Sequence, residues 1–409
     1  MVKSSRVATD SASASSLGEW LRVLIVAAGS FVMVTSEFLP VGLLTRIAAD
    51  IHKTPGQLGL MVTAPGLTAA IAAPCSLFAL HRWDRRRILI GLTILIALAD
   101  LVVATVSNFG LILFGRVLLG AAVGGFWSYS LDVARRLVAP EKGNLAVAII
   151  LGGISIGTIV GVPIGAYLGE LIGWRLTFGS AVAFACVVAA LQLLVLPSLP
   201  SATGAGKLAF APLLEIPNLK RGFLAITLVV LGHFACYTYL EAFVVRAAHP
   251  TTPQLSWVLG AYGLAGFVGT FAGERLTRLS KRFAFSIAAA IMTASLLWCF
   301  TMPQQWTAVV PPIILWGAAY GAVPVCSRIW LFNAAPEQSE IVSAFYVSAF
   351  QFALAAGAFT GGLVVDHAGI PATLGYGAAA TAMGGLIMLI TSLGIVDRSS
   401  EQQAVLDGH

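Results

Sequence analysis

Residues 198–220 read SLPSATGAGKLAFAPLLEIPNLK, and this polar stretch decides the fold. It is the longest break in a chain of 409 residues, of which 58% are hydrophobic and only 10% charged. Mean hydropathy is +0.90. A water-soluble domain carries about a quarter charged residues to solvate its surface. A chain this poor in charge cannot cover itself in water. That excludes soluble enzymes, nucleic-acid binders and disordered proteins, and leaves a protein whose solvent is mostly lipid. A span needs about 20 apolar residues. Such runs lie before the break at 21–45, 56–80, 88–107, 109–134, 145–169 and 175–197. They lie after it at 222–246, 254–277, 283–302, 307–331, 340–364 and 370–395. Six spans on each side of a central linker is the hydropathy pattern of a duplicated transporter. The fold class is an all-α membrane protein of twelve transmembrane helices in two six-helix halves. The expected division is a tail 1–20, a bundle 21–197, a linker 198–220, a bundle 221–396 and a tail 397–409.

Orientation follows from Lys and Arg, which total 24 against 18 Asp and Glu. If the N-terminus is inside, the inner segments hold Lys3, Arg6, Arg22, Arg82, Arg85, Arg86, Arg87, Arg135, Arg136 and Lys142. They also hold Lys207, Lys220, Arg221, Arg275, Arg278, Lys281, Arg282 and Arg398. The outer segments hold only Arg46, Lys53, Arg175 and Arg246. This asymmetry places both termini in the cytoplasm. Residues 1–19 have no apolar core, so the first span is expected to be retained rather than cleaved. Cys75, Cys186, Cys236, Cys299 and Cys326 lie in apolar runs without metal-ligand spacing and read as small buried hydrophobes. Asp132 precedes Arg135 and Arg136 by three and four residues, the spacing of a local helix pair.

The few charges inside spans carry the chemistry. Glu37 lies about nine residues from the outer end of span one, roughly 13 Å deep and close to mid-membrane. An ionised carboxylate there needs a cationic partner or takes up a proton; either property suits a proton carrier, with a protonated Glu bonding a neighbouring helix as the alternative. Arg116 and Asp100 flank the loop centred on residue 108 at equal spacing, which puts both about 12 Å deep, level with Glu37. Arg116 is therefore expected to exchange between these carboxylates, with a static Asp100–Arg116 pair as the alternative. Arg328, near the inner end of span ten, reads as a snorkelling side chain.

Gly153, Gly157, Gly161, Gly165 and Gly169 recur every four residues along span five, with Pro163 among them. They form a bare groove for close backbone approach. It reads either as a sliding surface between the halves or as an ordinary tight helix contact. His233, Tyr237 and Glu241 also step by four and share a helical face. Trp127 sits on the face of Arg116, eleven residues on. With Trp316, Tyr320 and Gln351 they are candidates for a substrate cavity; Ser327, Phe345 and Tyr346 lie on the same broad faces. Flat rings with a few amides suit stacking against a planar organic solute. Membrane aromatics also pack or anchor at interfaces. No G-x-x-x-x-G-K-[ST] motif is present, so ATP-driven pumping is not expected, and no spacing implies a metal or cofactor.

Several stretches resemble the twelve-span drug/proton antiporters of the major facilitator superfamily. The loop His81-Arg82-Trp83-Asp84-Arg85-Arg86-Arg87 is similar to that family's basic signature between spans two and three. It departs from the signature at Leu77, His81 and Asp84. Leu111, Arg116 and Gly120 resemble the intramembrane Arg motif, and the span-five glycines the motif that marks antiporters. Glu37-Phe38-Leu39-Pro40-Val41, Gly124-Gly125-Phe126-Trp127 and Leu168-Gly169-Glu170-Leu171-Ile172-Gly173-Trp174-Arg175 resemble the branch of sugar and purine-ribonucleoside efflux permeases. The resemblance implies a proton-coupled antiporter of the bacterial inner membrane, with Asp84, Arg85, Arg86 and Arg87 as a gating loop. It implies protons, lipid and a small-molecule substrate as partners, a monomer, no nucleic acid, no cofactor and no enzymatic activity. Purine ribonucleosides lead among substrates, with drugs or sugars as alternatives. A non-transporting membrane sensor is the alternative of a different class.

Overall fold

The computed structural model describes residues 2–201, 217–302, 305–335 and 339–407, with side chains for 18–201, 218–302, 305–335, 342 and 345–393. Most of the expected linker, including Lys207, and the side chains of residues 1–17 and 397–409 lie outside the described residues. Fifteen α-helices follow one another among the described residues. The first eight are α1 (Val2–Phe38), α2 (Leu44–Asp50), α3 (Pro55–Leu58), α4 (Leu60–Ala79), α5 (Arg85–Thr105), α6 (Phe109–Arg136), α7 (Gly143–Leu171) and α8 (Trp174–Val195). After the linker come α9 (Pro217–Tyr237), α10 (Leu240–Ala248), α11 (Thr252–Leu279), α12 (Ala284–Thr301), α13 (Trp306–Ala334), α14 (Ser339–Ala368) and α15 (Ile370–Asp407). Twelve segments among the described residues are long and apolar enough to cross a membrane. Every backbone polar group in lipid needs an internal partner, which is why the spans are helical.

Local sequence sets the ends. Asp84 and Asn108 cap α5 and α6 by accepting the amides of Arg86 and Leu111. Thr54 with Gln57 and Thr251 with Gln254 form capping boxes at α3 and α11. Gly173 and Gly369 take positive φ, 81° and 86°, in the tight turns between α7 and α8 and between α14 and α15. Only glycine adopts that conformation without strain.

Span two is interrupted only at Gly59, which keeps helical angles, whereas spans one and seven break at matching places. Span one stops at Phe38 and passes through a 3-10 turn, Leu39–Gly42, before α2. Pro40 within that turn supplies no N–H to continue the ladder. Span seven breaks between Tyr237 and Leu240. There the Thr238 hydroxyl donates back to the Phe234 carbonyl, and the Tyr239 hydroxyl reaches across to the Ala358 carbonyl. Back-bonding of this kind bends helices.

One core cluster draws all its residues from Val23 to Leu199. A second draws mainly on Leu219 to Met388, joined by Val41, Val62, Val162 and Ala166. A third joins the broken ends, with Leu39, Leu43 and Leu58 packed with Tyr239, Ala242 and Val365. Large apolar side chains such as Ile71, Phe78, Leu176, Leu194 and Phe271 point outward. In a membrane that surface meets lipid. Cys75 and Cys186 lie on it too, so only Cys236, Cys299 and Cys326 are the buried hydrophobes expected of all five.

Candidate functional site

The site starts from two prolines. A helical carbonyl at position i accepts from the amide at i+4. Pro40 therefore leaves the Ser36 carbonyl without its donor, and Pro65 does the same to Met61. Arg116, in α6, fills these gaps. Its Nη1 donates to the Ser36 carbonyl at 2.7 Å, its Nη2 to the Glu37 carbonyl at 2.6 Å and its Nε to the Met61 carbonyl at 2.7 Å. Arg116 is 1% exposed, and its planar fork matches this three-point geometry.

In this structure Arg116 holds neither carboxylate of the exchange expected for it. Among the described residues it forms no ion pair, and it acts on Asp100 and Glu37 through space. Asp100, also fully buried, accepts instead from the Ser36 hydroxyl at 2.5 Å, and its second oxygen has no partner among the described residues. The three residues do meet, as the depth argument requires, but Arg116 grips the backbone of span one at its break. The Glu37 carboxyl is thereby left free to turn the other way. Its Oε1 accepts from Gln351 Nε2 of α14 at 3.1 Å. Glu37 is 3% exposed.

Glu37 and Gln351 border a cavity of about 510 Å³ between the two sets of six spans. That is within the usual range of small-molecule sites, about 300–1,000 Å³. Trp127, His233, Tyr237 and Tyr320 line it, as the sequence suggests. Two candidates do not. Trp316 is fully buried behind the wall, where its indole Nε1 donates to His233 Nδ1 at 3.1 Å. Glu241 lies beyond the break in span seven, so it leaves the face of His233 and Tyr237. It accepts from the Thr45 hydroxyl at 2.5 Å and the Thr45 amide at 3.2 Å.

Sequence reasoning passed over Phe38, Phe234 and Tyr262, which also line the cavity, as does Tyr346. Phe38 stacks on Phe234 at 5.9 Å and meets Tyr237 edge-on at 5.9 Å. A signal was present: Phe38 adjoins Glu37 and Phe234 adjoins His233. Arg328 does not snorkel away; it lines the cavity, 5.2 Å from the Tyr346 ring.

The glycine groove of α7 faces α1 within the same half. A side chain on Gly153 would meet the Ala27 carbonyl, on Gly157 the Phe31 carbonyl at 3.1 Å and on Gly161 the Thr35 hydroxyl at 2.9 Å. Gly165 and Gly169 sit against Leu39 and Leu43. The five glycines are therefore a tight helix contact and not a sliding surface between halves. Close approach lets α7 brace the broken end of span one. Pro163 alone of the set turns to the other half, opposite Gly260 of α11, while Gly263 lies against Ile159.

Asp84 caps α5 and also accepts from the Ser198 hydroxyl at 2.5 Å and the Leu199 amide at 3.1 Å. Partial burial pushes its carboxyl up, but these bonds and those from Arg86 and Arg87 outweigh it and hold the carboxyl below its ordinary value. The Arg85 amide donates to the Leu199 carbonyl at 2.9 Å, the Arg85 guanidinium lies 4.7 Å from the Tyr129 ring, and Arg86 bonds the Leu193 carbonyl. The basic loop thus clasps the start of the linker. Asp132 and Arg136 form the local pair expected, at 3.7 Å.

Twelve apolar helices around a small-molecule cavity at two matched helix breaks define a multi-pass membrane transport protein. Residues 26–358 match the Major Facilitator Superfamily, and the chain belongs to that family. It is 34% identical to the transcription regulatory protein OpdE of Pseudomonas aeruginosa, over 92% of this chain and 94% of that one. It is 32% identical to the purine ribonucleoside efflux pump NepI of Shigella sonnei, over 91% and 93%. Its fold matches the solved nucleoside transporter NupG with a TM-score of 0.74 at 10% identity, covering 91% of this chain and 99% of that one.

Proposed function

We propose that the protein exports purine ribonucleosides, or metabolites of similar planar shape, in exchange for protons entering across the inner membrane. Both termini lie in the cytoplasm, and the bundles 21–197 and 221–396 rock about the central cavity as a monomer. One observation carries the coupling: the buried Glu37 carboxyl, at the cavity wall, bonds Gln351 from the opposite half. Protonation of that carboxyl changes a contact that both halves share, so proton binding and the swing of the halves are linked. Arg116 is a positioning residue, holding the backbone on which Glu37 sits. The NepI name supports the substrate class, and the aromatic lining supports a flat ring.

The experiment uses purified protein in vesicles with an imposed pH gradient. Wild type accumulates labelled inosine against its concentration gradient, and Glu37→Gln retains downhill exchange but loses accumulation. Uphill accumulation by Glu37→Gln would remove Glu37 from the coupling. The OpdE name favours a second reading, a membrane sensor that binds solute without moving it. Binding without flux in the same vesicles would establish that reading instead.

A further inference from the structure

His233 is the cavity residue whose hydrogen-bond bookkeeping is most constrained. The indole of Trp316 has one donor and no acceptor. Its N–H points at His233 Nδ1 at 3.1 Å. Nδ1 must therefore be the lone-pair nitrogen, and the ring proton of the neutral imidazole must sit on Nε2. An imidazolium would set one N–H against another. The ring cannot turn freely, because it stacks on Tyr320 with centroids 3.3 Å apart and planes 3° from parallel, and lies 5.2 Å from Tyr237 at 17°. Tyr262 and Trp316 close the cluster at 6.5 Å and 5.6 Å.

Nε2 has no hydrogen-bond partner among the described residues. His233 lines the cavity. The Tyr262 hydroxyl, in the same cluster, is buried without a partner among the described residues.

We propose that Trp316 fixes His233 as an obligate donor, whose Nε2–H selects substrates by an acceptor atom on the edge of a flat heterocycle. The inference rests on the purine reading for its ligand but not for the device. Tyr237, Tyr320 and Phe234 would flank the ring, and the His233 donor would read its edge. A site built around a fixed donor rejects an isostere lacking the acceptor, because the donor is then buried unpaired. Trp316 is a positioning residue: its effect on selectivity passes through the imidazole tautomer.

Two measurements test this. In full-length protein labelled with 15N-histidine, His233 (assigned by its loss in His233→Gln) shows a bare Nδ1 and a protonated Nε2 in wild type. In Trp316→Phe both tautomers appear. A protonated Nδ1 in wild type overturns the device whatever the ligand. The second measurement compares binding of inosine with its 7-deaza analogue and with purine riboside, which lacks the 6-oxo group. In wild type, at least one of these deletions weakens binding about tenfold. In His233→Phe/Trp316→Phe, which removes donor and acceptor together so that no partner is stranded, the penalty vanishes. Trp316→Phe keeps affinity for inosine within a few fold but loses part of the discrimination. An undiminished penalty in the double variant shows that another group reads the edge. Wild type that binds none of the three overturns the purine reading, while the tautomer result still decides the role of Trp316.

Discussion

Arg116 shows how a single side chain changes meaning when its neighbours are known. Its depth in span four marks it as exceptional, and the usual partner of a buried cation is a carboxylate. Its actual partners are three carbonyls, two of them freed by Pro40 and Pro65. Lysine keeps the charge but concentrates its donors at one point and cannot reproduce the fork. Arg116→Lys is therefore expected to cost at least about 2 kcal/mol, since hydrogen bonds involving a charged group contribute about 1.5–3 kcal/mol each. Thermal denaturation in detergent checks this, and an unchanged midpoint would mean the carbonyls are satisfied by other means. That Glu37, Asp100 and Arg116 lie level with one another was legible because 1.5 Å per residue is a fixed rise. Their bonds were not, because spacing along separate helices leaves rotation about each axis undetermined.

Among elements, α7 separates a pattern from its use. A glycine every four residues requires a close partner, and that much is periodicity. The partner is α1, which explains why the span that carries Glu37 can be broken and still be held firmly. Gly152 and Gly153 give a matched pair. A Cβ at Gly153 collides with the Ala27 carbonyl, whereas one at Gly152 meets nothing within 4 Å. Gly153→Ala should therefore destabilise by about 1–3 kcal/mol through overpacking. Gly152→Ala should be neutral or stabilising by up to about 1 kcal/mol through helix propensity. Equal melting temperatures for the two variants would show that α1 and α7 are not held at this separation. The break in α9 was hidden for a related reason. Nothing at Thr238 and Tyr239 forbids a helix, and the bond from Tyr239 to Ala358 forms only once α14 is in place.

At the scale of the whole molecule, one end is shut. Besides Thr45 and Glu241, the Thr54 hydroxyl donates to Asp366 at 2.9 Å and the Gly56 amide to the same carboxylate at 3.1 Å. All these bonds link the first six spans to the last six, on the side that the charge asymmetry assigns to the exterior. Opening that side must break them. A thiol cross-link between Thr54→Cys and Asp366→Cys, in a background lacking Cys75 and Cys186, should abolish transport, with recovery on reduction. Transport that survives the cross-link would mean that substrate passes without parting these helices.

The sequence alone determined that this chain is built of twelve apolar, membrane-length segments, and it singled out the rare ionisable groups within them. Those properties depend on composition and on the fixed rise of a helix, which need no partner. Tertiary structure alone decided that Glu37 answers to Gln351, that Trp316 stands behind His233, and that Glu241 belongs to the closed end. Each depends on which faces meet after two helices break, and helix rotation and packing are properties of the assembled bundle.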